Sequence, residues 1–216
     1  MKISQIQIKT NDIKRTRTFY QSVLDLFILK NDQNSVMIRV GDSVLKFVED
    51  SQFNSIYHIA FNIPKNQLEE AIKWCKNKVD LISIEDKNVI THFENWNAHA
   101  VYFYDNNGNL LEFIARHDLD NEQGGKFTGA SILNISEIGI VTENPLELGN
   151  KLIAEHQLYF FSKNANSEVF SAIGDDEGLL ILVRPNRNWY PTQTLSESNP
   201  TEVTLENKES IIQLKF

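Results

Sequence analysis

Two side chains of this 216-residue chain stand where chemistry is plausible from residue type and position alone. His58 lies in the run Tyr57-His58-Ile59-Ala60-Phe61-Asn62-Ile63-Pro64. Successive residues of a strand point to opposite faces, so His58, Ala60 and Asn62 share one face and Tyr57, Ile59, Phe61 and Ile63 the other. The bulky set belongs under a helix, which leaves His58 facing the open side. Glu112 lies in Asn109-Leu110-Leu111-Glu112-Phe113-Ile114 and shares its face with Leu110 and Ile114. A carboxylate in such apolar company is costly to bury unpaired, so a cation must sit near it, either a metal ion or a lysine. Imidazole and carboxylate together suit a divalent ion or proton transfer.

Other candidates are weaker. His99 opens a strand and shares a face with Val101 and Phe103, as an acid/base group, a substrate contact or a hydrogen-bonded structural histidine. Trp96, Phe103 and Tyr104 are wall residues of a pocket or members of a core. His92 carries less signal, and His117 and His156 read as surface residues. The lone cysteine, Cys75, falls on an amphipathic helix and reads as a core-edge thiol without a nucleophile signature. The run Arg184-Pro185-Asn186-Arg187-Asn188-Trp189-Tyr190-Pro191 offers arginines to an anion, or packs over a neighbouring module or subunit.

The elements that position these residues repeat. Three strands with period-two alternation, Ser4–Asn11, Tyr57–Pro64 and Ser136–Glu143, each end in a turn or cap signal: Asn11/Asp12, Pro64 and Asn144-Pro145. Helical spacing follows each, over Arg15–Leu26, Leu68–Val79 and Leu146–His156. Short strands come next, and three of them match: Ser43–Val48, Asn109–Ile114 and Gly178–Val183. Each unit is therefore a βαβββ module of roughly 50 residues. Module one is assigned to 1–52, module two to 53–116, a linker to 117–134, and a third module with a C-terminal hairpin to 135–216. The fold class is α+β, with tandem modules forming curved mixed sheets.

Composition sets outer bounds. Hydrophobic residues make up 41% and charged residues 23%, the balance of a soluble globular protein. The net charge of -8, with both signs interspersed, argues against nucleic acid, which requires a basic face. No stretch approaches the ~18 apolar residues of a membrane span, and the N-terminus begins directly as a strand rather than a signal peptide. A cytoplasmic location is expected.

The run Phe19-Tyr20-Gln21-Ser22-Val23-Leu24-Asp25-Leu26 resembles a helix end, and Asp105-Asn106-Asn107-Gly108-Asn109-Leu110-Leu111-Glu112 a turn and strand, of the vicinal oxygen chelate superfamily of glyoxalases, bleomycin- and fosfomycin-resistance proteins and extradiol dioxygenases. Asn106 replaces the usual proline. The resemblance covers modules one and two well and module three weakly. It implies two modules curled into one cup, with a divalent metal held by residues from the first and last strands of each. With modules one and two paired, those positions are Gln5, Lys46, His58 and Glu112; in module three they are Glu137 and Ile181. The implied metal ligands are Gln5, His58 and Glu112, for Fe, Mn, Ni or Zn, with Glu112 and His99 as catalytic candidates and Lys46, Trp96 and Phe103 lining the pocket. Lys46 opposes a cation, so the alternative is a Lys46–Glu112 ion pair filling the site. Ile181 cannot coordinate, so module three lacks a ligand set of its own and needs the hairpin, the first domain or a second subunit to complete it; a homodimer is expected.

Three functions stay open: a metal-dependent enzyme acting on a small polar organic molecule, a metal-free protein sequestering a small molecule in the manner of the bleomycin-resistance proteins, and a degenerate module kept for assembly.

Overall fold

A computed structural model describes residues 1–86 and 88–216. The first repeat runs β1 (Lys2–Thr10), α1 (Ile13–Thr18), β2 (Ile28–Asn31), β3 (Ser35–Val40) and β4 (Ser43–Glu49). Asp12 caps α1 by accepting the Arg15 N–H at 2.9 Å. The helix expected to reach Leu26 instead widens into a π-helical turn over Phe19–Val23, which swings Tyr20 and Leu24 into the core. The second repeat runs β5 (His58–Ile63), α2 (Leu68–Cys75), β6 (Thr91–Phe93), β7 (Ala98–Tyr104) and β8 (Leu110–Arg116). The third has β9 (Asn134–Val141), α3 (Pro145–His156), β10 (Phe170–Asp175) and β11 (Gly178–Val183), with a single bridge between Phe160 and Ile173 where another strand would stand. Asn144 caps α3, accepting the Glu147 N–H at 3.1 Å, with Pro145 in the first turn as its sequence foretold. The chain ends in the expected hairpin, β12 (Glu202–Asn207) with β13 (Ser210–Lys215). The α+β class and the repeated modules agree with the sequence pattern.

The pairing of modules differs from the expected one. β5 runs antiparallel to β9, with Ile59 opposite Ile138 and Ala60 opposite Glu137. Modules two and three therefore share one continuous surface, ordered β6-β7-β8-β5-β9-β11-β10. The cup assigned to modules one and two is formed by two and three instead. Module one takes the hairpin as its other half: β12 lies antiparallel on β1 just as β9 lies on β5. The two halves meet where Ile3 of β1 pairs with Ile135 of β9. The physical reason is strand-edge supply. β1 and β5 each need an antiparallel neighbour, and the hairpin, with Val203 and Leu205 buried, supplies the one for β1. Of the partners considered for module three, it takes the first domain, through module two.

Alternation then sorts the side chains. One sheet face, under the helices, holds a core including Ile6, Phe47, Phe61, Phe103, Phe113 and Ile138. The other face of the second half carries Ala60, Ala98, Ala100, Tyr102, Leu110, Ile114 and Ile181. The segment assigned as linker, 117–134, is partly structured: Phe127 packs on Trp74 and Phe113, and Gly129 lies so close to the Leu24 carbonyl that an added Cβ would stand 2.2 Å from it. Asp105 ties the modules together. Its carboxylate accepts the Tyr20 hydroxyl from module one at 2.9 Å and the N–H groups of Asn107 and Asn109 within its own turn.

Cys75 is buried, and burial pushes its thiol up to about 12. Native protein should therefore resist a thiol-specific reagent such as Ellman's and react on unfolding in urea; fast native labelling would contradict this packing. Truncating the chain after Asn199 exposes the edge of β1 together with the apolar face that Val203 and Leu205 cover. Size-exclusion chromatography should then show soluble oligomers or aggregate, whereas a truncated chain eluting and melting like the full one would refute the role given to the hairpin.

Candidate metal centre

The candidate centre sits on one rung of the second sheet. Ala60 of β5 is flanked by Glu112 of β8 on one side and Glu137 of β9 on the other. The small side chain of Ala60 leaves the two carboxylates facing each other across it. His58, two residues earlier on β5, points from the same face. Its Nε2 lies 3.5 Å from Glu112 Oε2 and 4.0 Å from Glu137 Oε2. One ligand atom from each of the three falls within 4.8 Å of the others. All three are buried, at 6%, 2% and 3% exposure, so water does little to screen them.

Two contacts fix the orientations. His58 Nδ1 approaches the Leu110 carbonyl at 3.3 Å, which places its proton on Nδ1 and the lone pair on Nε2, toward the carboxylates. Burial, with a contribution from the charge of Arg187, lowers His58 to about 4, so the imidazole is neutral at pH 7 and available as a donor. Glu137 is held by the fully buried Arg116, whose Nη2 donates to Oε1 while its Nε donates to Ser136 Oγ at 3.2 Å. Arg116 continues to Asp176, and Lys163 joins Asp176 to Asp118 at 2.6 and 2.7 Å, so a chain of alternating charges leads from the site to the surface. Trp96 and Phe161 cover the guanidinium, with ring centroids 5.5 and 5.9 Å away. Glu112 has no cation so placed, only the hydroxyl of Tyr102 on the neighbouring strand. The Glu112 Oε1 is buried without a hydrogen-bond partner. Burial first, and then the charge of Glu137, raise Glu112 well above the usual carboxylate range; Glu137 is raised by burial, against the pull of Arg116.

A cavity of about 290 Å³ opens over these groups. Trp96, Tyr102, Phe170, Trp189 and Tyr190 wall it, and Ile181 of β11 occupies the fourth matched position, which offers no donor. Trp189 reaches the cavity because Gly139 on β9 lacks a side chain; a Cβ there would stand 2.4 Å from the indole. Its ring centroid is 5.3 Å from that of His58.

The sequence-derived candidates separate into two groups. His58, Glu112 and Trp96 come together at the cavity. Gln5 and Lys46 do not. Gln5 pairs with Val44 and Thr204, and Lys46 with Gln7 and Met37, half-exposed on the first half of the sheet. The Lys46–Glu112 ion pair is therefore absent, and the cation nearest the carboxylates is Arg116. Phe103 lies on the helix face, 4.9 Å from Phe113, and His99 shares that face rather than the cavity's. His99 Nδ1 is 2.8 Å from His117 Nε2, and its ring stacks on His92 at 4.4 Å. Glu137 had been placed at a matched strand position but without its partner module. Arg116, Arg187 and Trp189 could be recognised only by an arginine ending an apolar strand and by an aromatic-basic loop.

Among solved structures, the chain is similar to a Bacillus subtilis strain 168 protein provisionally assigned as a dioxygenase, with a TM-score of 0.60 over 85% of this chain and 17% identity. This chain has the glyoxalase/dioxygenase fold. It spans 63% of the length of the Bacillus protein. A glyoxalase/dioxygenase from Nostoc punctiforme matches 54% of this chain and 92% of its own, with a TM-score of 0.42 and 20% identity. The fosfomycin resistance protein of Listeria monocytogenes, solved with Mn(II), matches 53% of this chain and 89% of its own, with a TM-score of 0.42 and 18% identity. No family model and no curated protein matches the sequence. No helix among the described residues is long and apolar enough to cross a membrane.

The raised carboxyls give a pH dependence with a definite sign. A carboxyl whose native pKa lies above its unfolded value stabilises the fold at low pH and loses that contribution as pH rises through the native value. Metal-stripped protein should lose stability to urea as pH rises above the ordinary carboxylate range, and Glu112→Gln should flatten that loss. Identical slopes in the two proteins would show that Glu112 is not the strained group.

Proposed function

We propose that the protein is a divalent-metal-dependent enzyme acting on a small polar organic molecule in the cup between modules two and three. The observation that carries this reading is the convergence of His58, Glu112 and Glu137 in a buried cluster that leaves Glu112 Oε1 without a partner. Two carboxylates that close in a poorly screened interior call for positive charge, and Arg116 answers only Glu137 directly. The donors fit an ion. Ligands at ~2.1 Å from a metal stand roughly 3 Å apart, within reach of small side-chain movements from the distances seen. One imidazole with two carboxylates favours the harder ions, Mn(II) and Fe(II), over Zn(II) and Ni(II). A bound ion would supply Lewis acidity toward a substrate oxygen. The chain's own groups do the rest. Arg116 fixes the angle of Glu137. Neutral His58 presents Nε2, and Glu112 is a buried carboxyl able to hold or release a proton. The aromatic walls exclude water.

A second reading rests on Ile181 and Arg116. With no donor at the fourth position and one carboxylate already paired, the cup also suits a metal-free protein that binds a small molecule, in the manner of the bleomycin-resistance proteins.

Elemental analysis of protein purified without an affinity tag, after anaerobic addition of Fe(II), Mn(II), Ni(II) or Zn(II), separates the two. About one equivalent of metal per chain is expected, lost in His58→Ala/Glu137→Ala and kept in Gln5→Ala/Lys46→Ala. No uptake of any ion would sink the enzyme reading and leave the binding protein.

A further inference from the structure

The cavity above the three donors has a composition that narrows what it accepts. At about 290 Å³ it lies at the small end of ligand pockets. Its walls are mostly aromatic, contributed by both modules: Trp96 and Tyr102 from module two, Phe170, Trp189 and Tyr190 from module three. The loop after β11 spans the cup to bring the last two into place. The Asn186 N–H donates to the Ser196 carbonyl, the Ser196 N–H to the Arg187 carbonyl and the Trp189 N–H to the Thr194 carbonyl, so the loop folds back on itself as a small tongue. At its tip Tyr190 packs edge-on against Tyr102 at 6.0 Å and near Phe93 at 6.2 Å.

Two exposed arginines on this loop, Arg184 and Arg187, have no protein acceptor among the described residues, and Arg187 is the one that lines the cavity. The Arg187 backbone is pinned by Ser196, and its guanidinium lies 5.0 Å over the Phe170 ring. Among the described residues it forms no ion pair and no side-chain hydrogen bond. Arg116, the other arginine near the site, is occupied by Glu137 and Asp176. On the floor Glu137 is already matched by Arg116, so the unmatched charge offered to an anion lies at the rim, on Arg187.

We propose that this cavity selects a small planar carboxylate, with Arg187 holding its anionic group at the rim and the aromatic walls stacking on its ring. The planar fork of one arginine matches a carboxylate in two hydrogen bonds, whereas a phosphate dianion would draw on more than one cation. Flat rings gain most from aromatic walls at these spacings. The orientation turns the far end of the ring toward His58, Glu112 and Glu137, so the inference names the substrate class of the site proposed above and rests on that reading.

Calorimetric titration with 2-hydroxybenzoate, its neutral amide 2-hydroxybenzamide, phenyl phosphate and lactate tests it, in metal-free and Mn(II)-treated protein. The acid should bind about tenfold or more tightly than the amide, the scale of a charge-assisted hydrogen bond. It should also bind more tightly than lactate and phenyl phosphate. Arg187→Gln should bring the acid down to the amide's affinity with the thermal melt retained, while Arg184→Gln, outside the cavity, keeps the preference. Absence of 2-hydroxybenzoate binding, equal binding of acid and amide, lactate or phenyl phosphate binding as tightly, or a preference that survives Arg187→Gln overturns the proposal. An acid preference in protein that takes up no Mn(II) supports it while the metal reading fails. Mn(II) uptake without that preference overturns it and leaves the metal reading standing.

Discussion

Two carboxylates buried on either side of Ala60 set the terms for the rest of this structure. Glu112 and Glu137 belong to strands that flank β5, and at 2% and 3% exposure neither can leave its charge to water. Everything nearby responds to that constraint. Arg116 is buried to pair with one of them, and Asp176, Lys163 and Asp118 carry the compensation outward. His58 stays neutral and turns its lone pair inward. What remains unanswered, a lone oxygen on Glu112, is where a cation or a protonated carboxyl must supply the balance. A fold built for stability alone would gain by replacing this group with apolar residues, so its presence argues for a function.

The same rung explains why the modules pair as they do. Joining β5 to β9 brings together donors that neither module holds alone: module two supplies His58 and Glu112, module three only Glu137. The hairpin makes this arrangement possible. By covering β1 it removes module one from competition for β5, and the polar, half-exposed positions of Gln5 and Lys46 follow from a sheet half that has no second set of donors across it. Of the three partners open to module three, the hairpin, the first domain or a second subunit, the first domain completes it through β5 of module two. The third module also contributes the tongue after β11, so the cavity's roof and one of its three candidate donor side chains come from the part of the sequence with the weakest family resemblance.

Much of this was legible in the residues. Period-two alternation placed His58 on the open face and Phe61 beneath a helix, because side-chain direction along a strand is local geometry. Asn144-Pro145 marked the start of α3, and Asn106-Asn107-Gly108 the turn before β8, because caps and turns depend on a few neighbouring residues. Glu112 was identifiable as a carboxylate needing a counter-charge, and Glu137 as the counterpart of His58 in another repeat. The same alternation that placed His58 misled for His99 and Phe103: both were read as lining its pocket, yet their strand, β7, presents Ala98, Ala100 and Tyr102 to the cup and the intervening residues to the helices.

The sequence by itself determined the repeated module, the α+β class, and which residue types face which side of each strand, since all of these follow from short-range periodicity. Only the tertiary structure decided which module sits beside which. That choice depends on competition among open strand edges far apart in the chain, β12 for β1 and β9 for β5, and no local pattern encodes its outcome. Once made, it exchanged Gln5 and Lys46 for Glu137 and Ile181 around His58 and Glu112, and brought Arg187 and Trp189 over them.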